Sequence, residues 1–418
     1  MEPAGPSTSP DRARRPHTFA ALGYRNYRLW FAGQLVSLFG TWMQMTAQGY
    51  LVFELTRSSA YLGYVAFAAG APAWIFTLYG GVIADRMPRK TLMLITQASM
   101  MALALALADL TFGGLIRPGH ILAFAFLLGI ANAFDAPARQ AFVLEMVSRR
   151  DLTNAIALNA TMFHTATALG PAAAGFTYAA FGPGWCFLIN GVSFLAVILA
   201  LLLMKLAPAQ GERRRTSAAA DLLEGLRYVR RHTVIRALIV LIGLMSLFGI
   251  GLYTLMPAWA VKMLGGDART LGLLQSARGA GALLGALALA SLSRFRYKGR
   301  LLTAGTFAFP LLMLAFAGLR RLPLSLALLV GVGAAQILVM NLANAIIQGR
   351  VSDALRGRVM GLYTMAFFGL LPLGGLLAGS VAHRVGEPLA LVLASLALLA
   401  GAGAIWVFQP RLRALEGE

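Results

Sequence analysis

At 418 residues, 58% hydrophobic and 12% charged, the chain is more apolar and less charged than a soluble protein, where about half and about a quarter are usual. The excess excludes a single core facing water on all sides, and it excludes disorder, which requires low hydrophobicity; a mean hydropathy of +0.71 suits a chain dissolved in hydrocarbon. The formal net charge of +20 does not indicate a nucleic-acid partner, because the basic residues stand in short clusters between long apolar runs, as loops beside anionic lipid do.

In chain order, residues 1–19 are polar, rich in Pro and Arg, and lack an apolar stretch of signal-peptide length, so 1–24 are expected to be a retained cytoplasmic tail. A spanning helix needs about 20 mostly apolar residues, because the hydrocarbon slab is about 30 Å thick and each residue rises about 1.5 Å. Twelve such runs follow, at 27–53, 60–83, 91–113, 120–142, 155–180, 184–206, 236–261, 270–293, 301–319, 322–347, 357–383 and 387–408. The first six make an N-terminal bundle over 25–206 and the last six a C-terminal bundle over 234–409, with a short cytoplasmic tail at 410–418. Between the bundles, 207–233 holds Pro208, the triplet Arg213, Arg214 and Arg215, and an amphipathic segment in which Leu222, Leu223, Leu226 and Val229 recur at helical spacing. This linker predicts a helix lying along the cytoplasmic membrane surface.

Positive charge orients the spans. Of 36 Lys and Arg residues, Arg57, Arg117, Lys262, Arg269, Arg320, Arg321 and Arg384 fall in one set of loops and Arg278 falls inside a span; the rest lie on the side of the chain ends. Positive loops stay inside, so both termini are expected in the cytoplasm. Arg25 and Arg236, Arg86 and Arg296, and Arg139 and Arg350 are matched between the halves at a nearly constant separation, as duplication would leave them. Two like-oriented halves are a transporter architecture. The single cysteine, Cys186, excludes an internal disulfide and a cysteine-rich metal site.

The sharpest local pattern is Gly81-Val-Ile-Ala-Asp85-Arg86-Met-Pro-Arg89-Lys90, after the second span. Gly81 permits close backbone approach, Asp85 suits a helix N-terminus or a cation, and Arg86, Arg89 and Lys90 hold the loop inside. This decapeptide resembles the signature loop of the major facilitator superfamily. The stretch from Arg25 through Gln34, Ser37, Gly40 and Trp42, with Leu55–Ala60 and Asp135-Ala-Pro137-Ala-Arg139-Gln, resembles the branch holding enterobactin exporters and macrolide efflux proteins. The resemblance implies an all-α membrane protein, with twelve transmembrane helices in two six-helix pseudo-symmetric bundles. It also implies that Asp85, Arg86 and Asp135, beside Arg139, form a cytoplasmic charge network against the eleventh helix, with Arg350, Arg356 or Arg358 as second-half partners. The second half departs from the signature: Gly285 is followed by apolar residues and then Arg294, Arg296 and Lys298, with no Asp.

Gly170, Pro171 and Gly175 in the fifth span remove a backbone donor and allow tight packing or bending. They resemble the glycine–proline motif of exporters of this superfamily, without its longer upstream glycine ladder. Polar residues at membrane depth are costly unless they face a cavity or a partner. Candidates for a substrate cavity are Gln44 and Gln48 on the first span, His164 on the fifth, Asn190 on the sixth, Tyr253 on the seventh, Gln275 and Arg278 on the eighth, and Asn341 and Asn344 on the tenth. Interhelical hydrogen bonding is the alternative role for the amides, and snorkelling for Arg278. Trp42, Tyr253 and Trp259 would give such a cavity aromatic walls.

Proton coupling needs an acid that changes charge inside a cavity. Asp109 and Glu54 are candidates near the outer ends of their spans, and the arginine usual in the fourth span of proton-antiporting relatives is absent from 124–134. His17, His120, His164, His232 and His383 are scattered, so no catalytic or metal cluster is visible and no enzyme activity or cofactor is expected. The expectation is a monomeric secondary transporter working by alternating access, touching lipid and a small amphiphilic substrate, with the proton as candidate coupling ion. Export is favoured; import of a lysophospholipid or nutrient, or a non-transporting receptor, are the alternatives. Reporter fusions after Lys90 and after Arg350 should both report the cytoplasm, and a result placing them on opposite faces would break this topology.

Overall fold

In hydrocarbon every backbone N–H and C=O must find a partner within the protein, so apolar runs of this length have to be helical. The computed structural model describes residues 19–76, 79, 83, 87–205, 218–291, 298–409 and 412; among them there is no strand. The helices are α1 (Arg25–Thr56), α2 (Ser59–Phe76), α3 (Arg89–Phe112), α4 (Pro118–Met146), α5 (Leu152–Phe181), α6 (Pro183–Leu203), α7 (Ala218–Arg231), α8 (Thr233–Met263), α9 (Ala268–Ser291), α10 (Lys298–Gly318), α11 (Leu322–Arg350), α12 (Asp353–Val385) and α13 (Glu387–Phe408). All except α7 have membrane-crossing length, and 10 are apolar enough to cross by composition alone. The two that are not, α1 and α5, run 32 and 30 residues. They can be more polar because α1 turns Gln34, Ser37, Gln44, Thr46 and Gln48 into protein rather than lipid.

The hinges between spans follow local chemistry. Gly182 and Gly386, at φ of 90° and 85°, stand at the joints between α5 and α6 and between α12 and α13, each followed by a proline in the first helical turn. A proline also opens α4 and α11. The same devices thus recur at corresponding joints of the two sets of six. Inside spans, α8 carries π turns at Met245–Gly249 and Trp259–Met263, and α12 is broken between Phe368 and Leu371. Ala21 N–H donates to Asn154 at 3.0 Å and Asn26 to the Lys205 carbonyl at 2.8 Å, so the chain start, the head of α5 and the tail of α6 share one face. Leu412 packs into the core with Val234 and Val351, which brings the chain end to that termini face as well.

The two sets meet along two seams built from glycine. Where α2 crosses α12, a Cβ on Gly63 would stand 2.9 Å from the Gly375 carbonyl oxygen, and one on Gly379 would stand 2.7 Å from Gly63 Cα. Where α5 crosses α9, a Cβ on Gly272 would lie 3.1 Å from Gly175 Cα and one on Gly279 would lie 2.8 Å from Ala168 Cα. Such approaches admit no side chain. The seams run from the far face to the membrane centre; toward the termini face α9 turns to α11, with Gly281 and Gly285 against Val330 and Ala334. The linker helix α7 docks on the head of α12 through Arg358 and Glu224 at 2.8 Å, with Val229 buried and Leu223 and Leu226 exposed. Gly279→Leu overpacks the α5–α9 seam and is expected to cost about 1–3 kcal/mol, seen as a lower thermal midpoint in detergent. Gly403→Ala, where the added carbon meets nothing within 4 Å, should leave the midpoint in place.

Candidate functional site

Three polar layers follow one another across the membrane. Gly81, Asp85 and Arg86 of the signature loop lie outside the described residues. Its last two residues are placed: Arg89, at the head of α3, donates to Glu145 on α4 at 2.7 Å, and Lys90 donates to the Met204 carbonyl at 2.9 Å. Both bonds clamp the termini face of the first set. Asp135 is only 1% exposed; it accepts from Thr96 Oγ1 at 2.9 Å and Gln97 Nε2 at 3.0 Å, and Arg139 one turn on stands 3.6 Å away. Its Oδ2 is buried without a hydrogen bond. Among the described residues Asp135 is therefore tied to α3 and to its own helix rather than to α12. The second-set cations are held locally: Arg356 pairs with Asp353 at 2.6 Å, Arg358 with Glu224, and Arg350 is exposed at the tail of α11.

The middle layer joins the sets. Thr46 Oγ1 on α1 donates to Gln275 Oε1 on α9 at 2.6 Å. At the next residue of α9, Ser276 Oγ accepts from the Ala172 N–H of α5 at 2.9 Å, just after Pro171 interrupts the helix ladder. Gly170 lets α1 in at Trp42, while Pro171 and Gly175 receive α9 at Gly272. The glycine–proline motif thus shapes the surface against which α9 seats. Several predicted cavity residues close on protein. Asn190 donates to Gln44 at 2.7 Å and Gln48 to the Ile121 carbonyl at 3.4 Å; all three are buried. Asn344 accepts from Gln348 at 2.6 Å, Asn341 is half-buried, and half-buried His164 meets the Phe163 ring edge-on. Trp42 also touches Phe163. Trp259 does not line a cavity: it is 1% exposed and stacks on Phe316 within the second set's core, because the π turn at the end of α8 rotates it inward.

Arg278 lies ten residues inside α9, roughly 15 Å from its far-face end, which is mid-membrane rather than a snorkelling position. Its guanidinium stacks over the Tyr253 ring at 4.9 Å, and Nη1 donates to Gln336 Oε1 at 3.3 Å; Nε is buried with no partner. Tyr253 and Arg278 were both legible as candidates. Gln336, Thr46 and Ser276 were not singled out in the sequence, since single amides and hydroxyls in apolar runs give no distinguishing pattern.

The far-face layer holds a group the sequence concealed. Glu387, the first residue of α13, is 2% exposed and accepts from Ser59 Oγ on α2 and from Lys262 Nζ on α8 at 2.6 Å. The Lys262 ammonium also sits 5.5 Å over the Phe53 ring of α1. One carboxylate therefore links both sets. At the head of a span an acid reads as an ordinary helix start, and only the α2 contact gives it this role. Of the acids picked as proton candidates, Glu54 is hydrogen-bonded by the Tyr178 hydroxyl and Asp109 is exposed near the end of α3.

The comparisons agree with this architecture. A family model described as transmembrane secretion effector matches residues 17–418. The chain is similar to the multidrug efflux pump Tap of Mycolicibacterium fortuitum, 27% identical over 90% of this chain and 94% of that protein. It is similar to the staphyloferrin A transporter of Staphylococcus aureus, 23% identical over 86% and 90%. The enterobactin exporter EntS of Citrobacter koseri is 24% identical over 81% and 80%. Among solved structures, a bacterial homologue of the human lysosomal transporter Spinster, inward-facing and unoccupied, superposes with a TM-score of 0.70 at 15% identity, covering 94% of this chain and 98% of that one.

Glu387→Ala strands Lys262 beside the Phe53 ring. Lys262 keeps 40% of its side chain exposed, so the loss should fall below the roughly 3–5 kcal/mol of a fully buried pair. Hydrogen–deuterium exchange should rise in the segments around 56–62 and 382–388; unchanged exchange there would rule out Glu387 as the tie between the sets.

Proposed function

The chain belongs to the transmembrane secretion effector family of major facilitator transporters, and from that membership we propose that it exports a small amphiphilic molecule, of the drug or siderophore kind its relatives' names carry. The halves 25–206 and 234–409 rock against each other about a substrate held between them. The termini face is read as the cytoplasmic one, and the excess of Arg and Lys on it supports that reading. On that orientation the seams α2–α12 and α5–α9, with the Ser59–Glu387–Lys262 tie, form the extracellular gate, and the conformation described is the inward-facing one.

The observation that carries this reading is the one-sidedness of the inter-set bonding. Among the described residues Thr46–Gln275, Ala172–Ser276 and Ser59–Glu387 lie between the membrane centre and the far face, the bond from Trp74 Nε1 to the Gly369 carbonyl at 2.9 Å lies just past the centre, and none between the sets lies nearer the termini face. In the opposite state Asp85, Arg86 and Asp135, with Arg139 beside it, close the cytoplasmic side against the head of α12, where Arg350, Arg356 and Arg358 supply cations. Asp135 is prepared for that switch, since one carboxylate oxygen is buried without a hydrogen bond and its ion pair with Arg139 is long. As the proton-coupling acid we take buried Asp135 rather than exposed Asp109, Tyr178-bound Glu54 or Glu387, which is ion-paired with Lys262.

Everted membrane vesicles holding the full chain test direction and gate together. Export predicts accumulation of a transported amphiphilic dye inside everted vesicles, and uptake only by right-side-out vesicles would mean import. Asp135→Asn should lower the rate about tenfold, near 1.4 kcal/mol on the rate-limiting change of state, without loss of inserted protein. An unaltered rate would remove Asp135 from the gate.

A further inference from the structure

Arg278 is the one Arg or Lys at mid-membrane among the described residues. No carboxylate lies within ion-pairing distance of it among those residues. The buried acids are committed elsewhere: Asp135 to Thr96, Gln97 and Arg139, and Glu387 to Ser59 and Lys262. What Arg278 does have is a neutral amide oxygen at 3.3 Å and an aromatic face at 4.9 Å, and Nε has nothing. A guanidinium offers five N–H donors in a planar fork, so most of its capacity is unspent. An unpaired charge at this depth is expensive and marks a functional site unless something compensates it.

The surroundings are built for the missing group to be an anion. Gln275 and Ser276 on the same helix turn to α1 and α5, and Gly279 brings α9 against the α5 backbone. Arg278 therefore stands at the line where the two halves meet, while its head is steadied by Tyr253 of α8 and Gln336 of α11 from the second half. Those two neighbours bring further donors: neither the Tyr253 hydroxyl nor Gln336 Nε2 donates a hydrogen bond among the described residues. The residue keeps part of its surface accessible although helices surround it. A carboxylate, phosphate or sulfonate can take two parallel bonds from such a fork, and a cationic amphiphile would be repelled.

We propose that Arg278, with Tyr253 and Gln336, is the subsite that receives the negatively charged group of the substrate, so that the carrier handles amphiphilic anions in preference to neutral or cationic amphiphiles. This rests on the reading of the chain as a carrier with its site between the halves.

The test uses the purified full-length protein and three isosteric probes: 2-naphthoate, 2-naphthamide and 2-naphthylmethylammonium. Apparent affinities come from the rise of the thermal unfolding midpoint with probe concentration. The naphthoate should bind wild type at least tenfold more tightly than the amide, and the ammonium more weakly still. Arg278→Gln should erase the naphthoate preference while leaving amide binding in place, and Arg278→Lys, which keeps the charge and loses the fork, should retain part of it. Wild type binding all three alike, or showing no shift with naphthoate, overturns the proposal, as does an equal naphthoate preference in Arg278→Gln. Should Arg278→Gln fail to fold, the wild-type preference and its reduction in Arg278→Lys and Tyr253→Phe decide the matter. Naphthoate flux in proteoliposomes is measured separately: Arg278-dependent binding without flux would overturn the carrier reading and keep the anion subsite.

Discussion

The constraint under everything else is that lipid supplies no hydrophobic force to press one helix against another. Apolar side chains gain nothing by leaving lipid tails for a neighbouring helix, so association has to come from close backbone packing and a few hydrogen bonds. The two halves meet that demand with glycine. Gly63, Gly375 and Gly379 bring α2 onto α12, and Gly175, Gly272 and Gly279 bring α5 onto α9, at separations where any Cβ would collide. A surface held by many small contacts and few strong ones can separate without exposing a large apolar face to water. That is the mechanical property a rocking carrier requires.

The polar groups are distributed to bias this separable surface. Hydrogen bonds across it are few among the described residues and lie at defined depths: Thr46 with Gln275, Ala172 with Ser276 and Trp74 with Gly369 around the centre, Ser59 with Glu387 toward the far face. Each satisfies polar groups on both halves while the surface is closed, at the modest strength usual for hydrogen bonds between membrane helices. Amides that bond within one half, such as Gln44 with Asn190, tie the helices of that half to each other. The division of labour is between bonds inside a rigid body and bonds across the moving seam.

Arg278 stands apart from both groups. Its neighbours orient it without neutralising it, which is the arrangement expected of a group whose counterpart comes and goes. The linker helix α7 adds a tether on the termini face, where Glu224 and Arg358 join it to the head of α12.

The sequence by itself determined the class of solvent, the count of spans and their helical character. Hydrophobic runs of membrane length leave no other backbone solution, and all twelve predicted runs correspond to long helices in the fold. It also picked out the glycine–proline turn of α5 and the lone arginine in α9, because Gly, Pro and a charge in an apolar run are conspicuous against their background. What only the tertiary structure decided is which face each polar residue presents and to whom. Glu387 and Lys262 are 125 residues apart and Ser59 is 328 from Glu387. Trp259 reads as a cavity aromatic in sequence and is core in the fold. Gln44 and Asn190 read as cavity amides and pair with each other. A spanning helix buries part of its circumference in protein and part in lipid, and both look alike in a one-dimensional pattern of apolar residues; the distinction exists only once the neighbours are in place.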